Sequence, residues 1–231
     1  MQKRLTLYAL GAIAIALASL AFGQTLPESS SDEHLGVASC SNSVCHGKVA
    51  KDELSNVWLN EYRIWLREDY HSRAYRTLLT DQSKTIARKL GIGAAHTAKM
   101  CLDCHADNVA SDTRGRRFQI TDGVSCEACH GGSERWIETH TEPGVSHADN
   151  LAKGMYPTED AAARAKLCLS CHLGTKDKFA THKIMGAGHP RLSFELETFT
   201  ANQPAHYSVD ADYKQRKGGI ASVNMWLAGL A

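Results

Sequence analysis

The chain has 231 residues, which suits one compact domain or two small ones, and its formal net charge at pH 7 is +1. No basic stripe runs along it, which argues against a protein that binds nucleic acid. Aromatic residues make up only 7% of the chain, so its ordinary apolar core is expected to be thin.

The first 23 residues have the pattern of a secretory signal peptide. Met1 to Arg4 is basic, Leu5 to Phe22 is uncharged and rich in Ala and Leu, and small residues precede a cleavage site before Gln24. The alternative is an uncleaved anchor, since the apolar run is long for a signal and short for a membrane span. Either way we expect the rest of the chain in the periplasm or secreted, without a transmembrane segment of its own. Residues 24–35 are polar and predict a flexible N-terminus ahead of one domain over 36–231.

All 8 cysteines fall in four short units that end in Cys-His. Three of them follow the C-x-x-C-H pattern of covalent attachment of a c-type haem. The first has four residues between its cysteines, and this longer loop can still present both thiols to one porphyrin. The units predict four covalently bound haem c groups, attached through Cys40, Cys45, Cys101, Cys104, Cys126, Cys129, Cys168 and Cys171. The proximal iron ligands are then the adjacent histidines His46, His105, His130 and His172.

Other interpretations of the cysteines fit less well. A zinc knuckle, a redox dithiol or a disulfide framework does not require His directly after the second cysteine in every copy. For Cys40 and Cys45 a plain disulfide stays open as the alternative.

The periodicity after the first unit predicts three helices. The first covers 56–69, with Trp58, Tyr62, Trp65 and Leu66 on one face. The second begins near His71 and places that histidine on the same stripe as the apolar residues Ala74, Tyr75, Leu78 and Leu79. The third is capped by Asp81 and stops at Gly91.

The downstream half is rich in loops. The stretch 114–120 is the one candidate for an extended piece. Further helices are predicted over 158–167, leading into the fourth unit, over 193–200 and over 219–231. The last of these ends without a polar tail, as expected if the natural chain is longer. We therefore predict a mainly α protein with much loop, whose short helices wrap around four haems that supply the missing apolar surface.

Eight histidines remain beyond the four units: His34, His71, His96, His140, His147, His182, His189 and His206. This excess favours two histidine ligands for most irons. His71 is a candidate through its place on the apolar stripe. His189 is another, because Gly186 and Gly188 remove side-chain bulk beside it and Pro190 fixes the direction of the chain. His182 is the second choice in that region, and ordinary exposed side chains are expected for His34, His96, His147 and His206.

Three stretches resemble one known family. They are Cys126 to Gly132 followed by His140, the run from Asp69 to Tyr75, and the block from Thr181 to Glu195. The resemblance is to the cytochrome c-554 family, tetrahaem periplasmic electron carriers that are partners of hydroxylamine oxidoreductase. It implies that His71 is the distal ligand of the third haem, opposite His130, and that His140 is the distal ligand of the first, opposite His46.

An iron with two protein ligands can pass an electron but cannot bind a substrate, so an electron carrier rather than an enzyme is expected. Its partners would be a quinol or nitrogen-cycle oxidoreductase or other cytochromes. One alternative is an enzyme that binds a small nitrogen oxide or hydroxylamine at an open haem beside His105, as the family's open second haem suggests. Another is a subunit of an extracellular cytochrome filament, with His34 ligating a haem of the next subunit.

Overall fold

The computed structural model describes residues 25–55 and 57–206. In this part the chain is mainly helical with long loops, and its one β pairing is a single parallel bridge between His34 and Arg114. The predicted fold class, mainly α with much loop, is confirmed. The α-helices are α1 (Glu61–Glu68), α2 (Ala74–Thr77), α3 (Asp81–Leu90), α4 (Lys99–His105), α5 (Cys126–His130), α6 (His147–Ala152), α7 (Ala161–His172), α8 (His182–Ala187) and α9 (Leu196–Asn202).

Short 3-10 turns connect several of these helices. Their bounds are Pro27–Ser29, Val37–Ser39, Tyr70–Arg73, Ala95–Thr97, Ser111–Thr113, Ile120–Asp122 and Thr139–Thr141. Within the described residues, no helix combines the length and the apolarity needed to cross a membrane.

The helices before the second unit differ from the predicted ones mainly at their ends. Helix α3 covers the predicted residues, but the side chain of Thr80, not Asp81, caps it by accepting a hydrogen bond from Ser83 N. Gly91 ends it in the left-handed conformation, with φ 69°. Helix α1 begins at Glu61, later than predicted, because Leu59 adopts φ 59° and this backbone geometry cannot continue a helix.

The predicted downstream elements also shift. Residues 114–120 form no strand beyond the bridge at Arg114, since the partner at His34 supplies a single pairing. Helix α7 is capped by Asp160 and runs through the whole fourth unit. Helix α9 lies three residues later than the predicted helix at its start. The predicted signal peptide and the predicted helix 219–231 lie outside the described residues.

A small apolar core lies beside the second unit, between α2, α3 and α4. Its buried members are Leu78, Ala87, Ala95, Leu102 and Ala106. Three of the five are alanines, so this core buries little apolar surface, in keeping with the low aromatic content. It fixes α4, and with it the second Cys-His unit, against the rest of the chain.

The N-terminal segment is packed against the third unit, which differs from the predicted flexible residues 24–35. The carboxylate of Glu127, 1% exposed, accepts hydrogen bonds from Leu35 N at 2.8 Å and Gly36 N at 2.6 Å. Asp32 forms a two-pronged ion pair with Arg135 at 2.7 Å. The charges that make this segment look solvated in the sequence therefore have partners more than ninety residues away along the chain.

The two glycines after His130 allow this packing. A Cβ at Gly132 would collide with the backbone carbonyl of Asp32, and Gly131 has φ 84° with Gly154 O close by. Glycine meets the close approach at Gly132 and the positive φ at Gly131 at low cost, because it has no Cβ. The Gly-Gly pair thus lets two chain segments close over the third unit.

Candidate haem-binding cavity

One connected cavity of ≈ 1990 Å³ joins the four Cys-His units. All eight cysteines and the four histidines that follow them line it. Pockets for a single ligand usually enclose about 300–1,000 Å³. The space is therefore large enough for several prosthetic groups and is bordered by the residues that would attach them.

Three of the units lie at the C-terminal end of a helix. The second unit ends α4, the third forms α5 and the fourth ends α7. In a helix, residues three apart lie on one face, so both cysteines of a C-x-x-C unit point the same way and the histidine follows directly. Local helix formation is enough to build these three attachment sites.

The first unit reaches a similar arrangement through a turn. Asn42 O accepts hydrogen bonds from Cys45 N at 2.9 Å and from Gly47 N at 2.8 Å, and His46 N donates to Cys40 O at 3.2 Å. The four residues between the cysteines, two more than in the other units, thus fold into a closed turn that brings Cys45 back towards Cys40.

The histidine of each Cys-His unit faces a second histidine from a distant part of the chain. The pairs, with the distance between ring centroids, are His46 and His140 at 6.1 Å, His71 and His172 at 6.1 Å, His105 and His189 at 6.2 Å, and His130 and His206 at 6.3 Å. A metal between two imidazoles would give a centroid distance of about 6.3 Å, from two bonds of about 2.0 Å and about 1.15 Å from each bonded nitrogen to its ring centre. The spacing fits one iron per pair.

The His206 ring is hydrogen-bonded to the backbone of Pro204, and hydrogen bonds hold five other rings by their Nδ1 atoms. This leaves Nε2 as the nitrogen available to a metal, which is how protein scaffolds usually orient ligand histidines. The partners are Glu61 Oε2 for His46 (2.9 Å), Asp69 Oδ1 for His71 (2.9 Å), Ala74 O for His105 (3.2 Å), Ile137 O for His140 (2.6 Å) and Pro190 O for His189 (2.7 Å).

Burial and nearby charge give the histidines of the first and third units opposite pKa shifts. The His130 ring is deeply buried, and this burial, with His206 nearby, lowers its pKa to about 4. The hydrogen bond that His46 donates to the Glu61 carboxylate instead raises the pKa of His46 above its ordinary value. His130 is therefore neutral at physiological pH, which is the form that binds metals.

The sulfur atoms show which units are neighbours. The thiols of Cys40 in the first unit and Cys126 in the third lie close enough to shift each other's pKa, and so do those of Cys104 in the second and Cys171 in the fourth. Cys129 of the third unit lies close enough to Cys168 of the fourth for their charges to interact. The units thus follow one another in space in the order first, third, fourth, second.

The structure brings most of the predicted distal candidates to the units, with two changes of partner. His140 lies opposite His46, as the resemblance implies. His71 lies opposite His172 instead of His130, because the turn Tyr70–Arg73, capped by Asp69, aims it at the fourth unit. The ring opposite His130 is His206, which sequence reasoning had treated as an ordinary exposed histidine.

The two histidines of the 181–195 block have different positions. His189 lies opposite His105, whereas His182 is exposed and does not line the cavity. His182 begins α8 behind its cap Thr181, while His189 follows Gly188, whose φ of 118° turns the chain back to the cavity. The glycines beside His189 were thus the informative signal. For His206 the only comparable signal in the sequence is Pro204, two residues before it.

The remaining histidines have other partners. His34 is fully buried with Nδ1 on Asp107 Oδ2 at 2.8 Å, so it cannot extend to a neighbouring subunit in this conformation. His147 pairs with Glu159 at 2.7 Å, and His96 lies edge-on to Tyr75.

A mainly helical, loop-rich chain with Cys-His units around one cavity is typical of c-type cytochromes, the haem proteins of electron transport. Residues 39–131, which span the first three units, match the family described as Cytochrome c554 and c-prime. Over this stretch, which is less than half of the chain, the protein is similar to cytochrome c554. No curated protein and no solved structure matches it.

Proposed function

We propose that the protein is an extracytoplasmic electron carrier with four covalently bound haems, each held between one Cys-adjacent and one remote histidine. The observation that carries the proposal is the set of four imidazole pairs at 6.1–6.3 Å, one pair for each Cys-His unit. A c-type haem with two histidine ligands supplies reversible one-electron chemistry at its iron.

The chain's own residues have three tasks in this proposal. The cysteines Cys40, Cys45, Cys101, Cys104, Cys126, Cys129, Cys168 and Cys171 form the covalent links. His46, His105, His130 and His172 are the proximal ligands, and His140, His189, His206 and His71 are the respective distal ligands. The hydrogen bonds that five of these rings donate through Nδ1 fix those rings before and after electron transfer, so little rearrangement accompanies a change of charge.

The neighbour relations of the cysteines support a linear arrangement. Units that follow one another as first, third, fourth and second would form one path from end to end, with no side branch. The partners would then be two redox proteins, one donor and one acceptor, such as other cytochromes. An N-terminal signal and an exported location belong to the same proposal, because c-type haems are attached outside the cytoplasm.

The facing histidines also weigh against the two alternatives. An enzyme with an open haem beside His105 needs a free sixth position, and His189 lies where the sixth ligand would be. A filament linked through His34 needs that ring at the surface, and it is buried on Asp107.

Two measurements on the purified protein test the proposal. Its intact mass is expected to include four haem groups, and three would favour a disulfide between Cys40 and Cys45. Spectroscopy is expected to show low-spin iron alone in electron paramagnetic resonance of the oxidised protein, and no optical change of the reduced protein under carbon monoxide. A high-spin signal, or an optical change under carbon monoxide, would favour the enzyme.

A further inference from the structure

A buried cation lies where the second and fourth units meet. The side chain of Lys178 is 9% exposed and lines the cavity. Its Nζ lies 3.5 Å from Cys171 Sγ, and its charge also acts on Cys104 of the second unit. One ammonium group thus stands beside the sulfurs through which two different haems would be attached.

Two features hold Lys178 in this position. The backbones of Thr175 and Lys178 are hydrogen-bonded to each other in both directions, so the lysine belongs to a closed turn. Its Nζ donates to Glu28 Oε1 at 2.5 Å, across 150 positions of the chain. A buried ammonium is costly without such a partner. The N-terminal segment therefore fixes the charge of Lys178 at the junction.

The opposite end of the array has the reverse polarity. Cys40 and Cys126 lie beside the buried carboxylate of Glu127, and His46 is hydrogen-bonded to Glu61. At the second unit, by contrast, His105 and His189 are bonded to the neutral carbonyls of Ala74 and Pro190. Negative groups thus support the first unit, whereas at the second unit the cation Lys178 acts on Cys104 together with Asp103, a carboxylate that is itself paired with Lys99 at 2.6 Å.

We propose that Lys178 raises the reduction potentials of the haems at the second and fourth units and makes the second-unit end the electron sink of the array. The proposal rests on the proposed tetrahaem function. Reduction lowers the positive charge at an iron by one, so a fixed cation nearby favours the reduced state and a carboxylate favours the oxidised state. An electron supplied at the first unit by an external one-electron donor would settle at the second, from which an external acceptor takes it.

A redox titration of four variants tests this assignment. In Lys178→Gln, two of the four one-electron steps are expected to move to lower potential while the other two stay. In Glu28→Gln, the same two steps are expected to move to higher potential, because the lysine loses its counter-charge. Lys178→Arg should keep the wild-type potentials. Lys176→Gln removes an exposed lysine of the same turn and should shift no step appreciably.

The opposite signs of the two shifts distinguish charge from mere structure. Unchanged potentials in Lys178→Gln, or a shift of the same sign in Lys178→Gln and Glu28→Gln, would overturn the proposal, as would an equal shift of all four steps. Should Lys178→Gln fail to incorporate haem, the sign of the Glu28→Gln shift decides alone. Failure of the tetrahaem function is a separate result, because haem number and spin state are measured on the wild-type protein.

Discussion

The third and first Cys-His units are built in different ways. The third is a short helix enclosed by distant chain segments, with His130 deeply buried and Glu127 bonded to the N-terminal segment. The first is a local turn at the surface, where Val44 is 75% exposed and the His46 side chain 30% exposed. A Cys-His unit can thus be held in place by long-range packing or by one local turn. We therefore expect substitutions in the two units to have different effects.

The largest expected effect is the loss of Glu127. In Glu127→Ala, four donor groups, from Leu35, Gly36 and Ser133, lose their acceptor. Unmet buried donors cost about 1–3 kcal/mol each, so we expect a loss of about 3 kcal/mol or more in the free energy of unfolding. Denaturant titration followed by circular dichroism measures it.

The matched control is Glu134→Gln, where one exposed hydrogen bond from Glu33 N is affected. A change within about 0.5 kcal/mol is expected there, as for most surface substitutions. Equal losses in the two variants would mean that the third unit does not depend on its long-range bonds.

A smaller effect is expected from a change in the turn of the first unit. In Gly47→Ala the new Cβ would collide with the backbone carbonyl of Ser41, so the turn must open. We expect a destabilisation of about 1–3 kcal/mol and incomplete haem attachment at Cys40 and Cys45, with the other three units loaded. Intact mass would show a species with three haems.

Val49→Ala is the control for this change, since that side chain follows the turn and is 81% exposed. It should carry four haems and change the free energy of unfolding by less than about 0.5 kcal/mol. Loss of haem from several units in Gly47→Ala would contradict a purely local role for the turn.

The proposed distal ligands give the next test, which concerns one of the four proposed haems. In His206→Ala we expect one iron to change from low-spin to high-spin, because the ring facing His130 is removed. His182→Ala, an exposed residue away from the cavity, should leave the spectrum unchanged. Electron paramagnetic resonance measures both. The reverse result would restore the ligand set favoured by the sequence alone.

The smallest effect is a pH dependence near the third unit. Burial lowers the pKa of His34, but its hydrogen bond to Asp107 and the charges of Asp107 and Glu127 outweigh this and raise it. A raised pKa in the folded state means that the stabilisation is complete below the unfolded value of about 6.5 and is lost as the pH rises through the folded value.

The free energy of unfolding of the wild type should therefore fall with rising pH in that window, relative to His34→Gln. Denaturant titrations across the window measure the difference between the two proteins. Parallel pH profiles would contradict this prediction, because they would mean that folding does not raise the pKa of His34.

The sequence by itself determined the attachment chemistry. Two cysteines and a histidine within five to seven residues form a local unit, and local helix geometry or one turn completes it. The stop of α3 at Gly91 acts over three or four residues and was readable for the same reason, whereas its cap is Thr80, one residue before the predicted Asp81. The family resemblance added the pairing of His140 with His46, which no local pattern contains.

Only the tertiary structure decided which distant groups meet. Whether His182 or His189 turns to the cavity depends on the φ of Gly188, and the partner of His71 depends on where α7 lies. The polar residues of the N-terminal segment looked solvated because their partners, Glu127, Arg135 and Asp107, are remote in sequence. Contacts of this kind arise from packing of the whole chain, so a local pattern of residue types does not predict them.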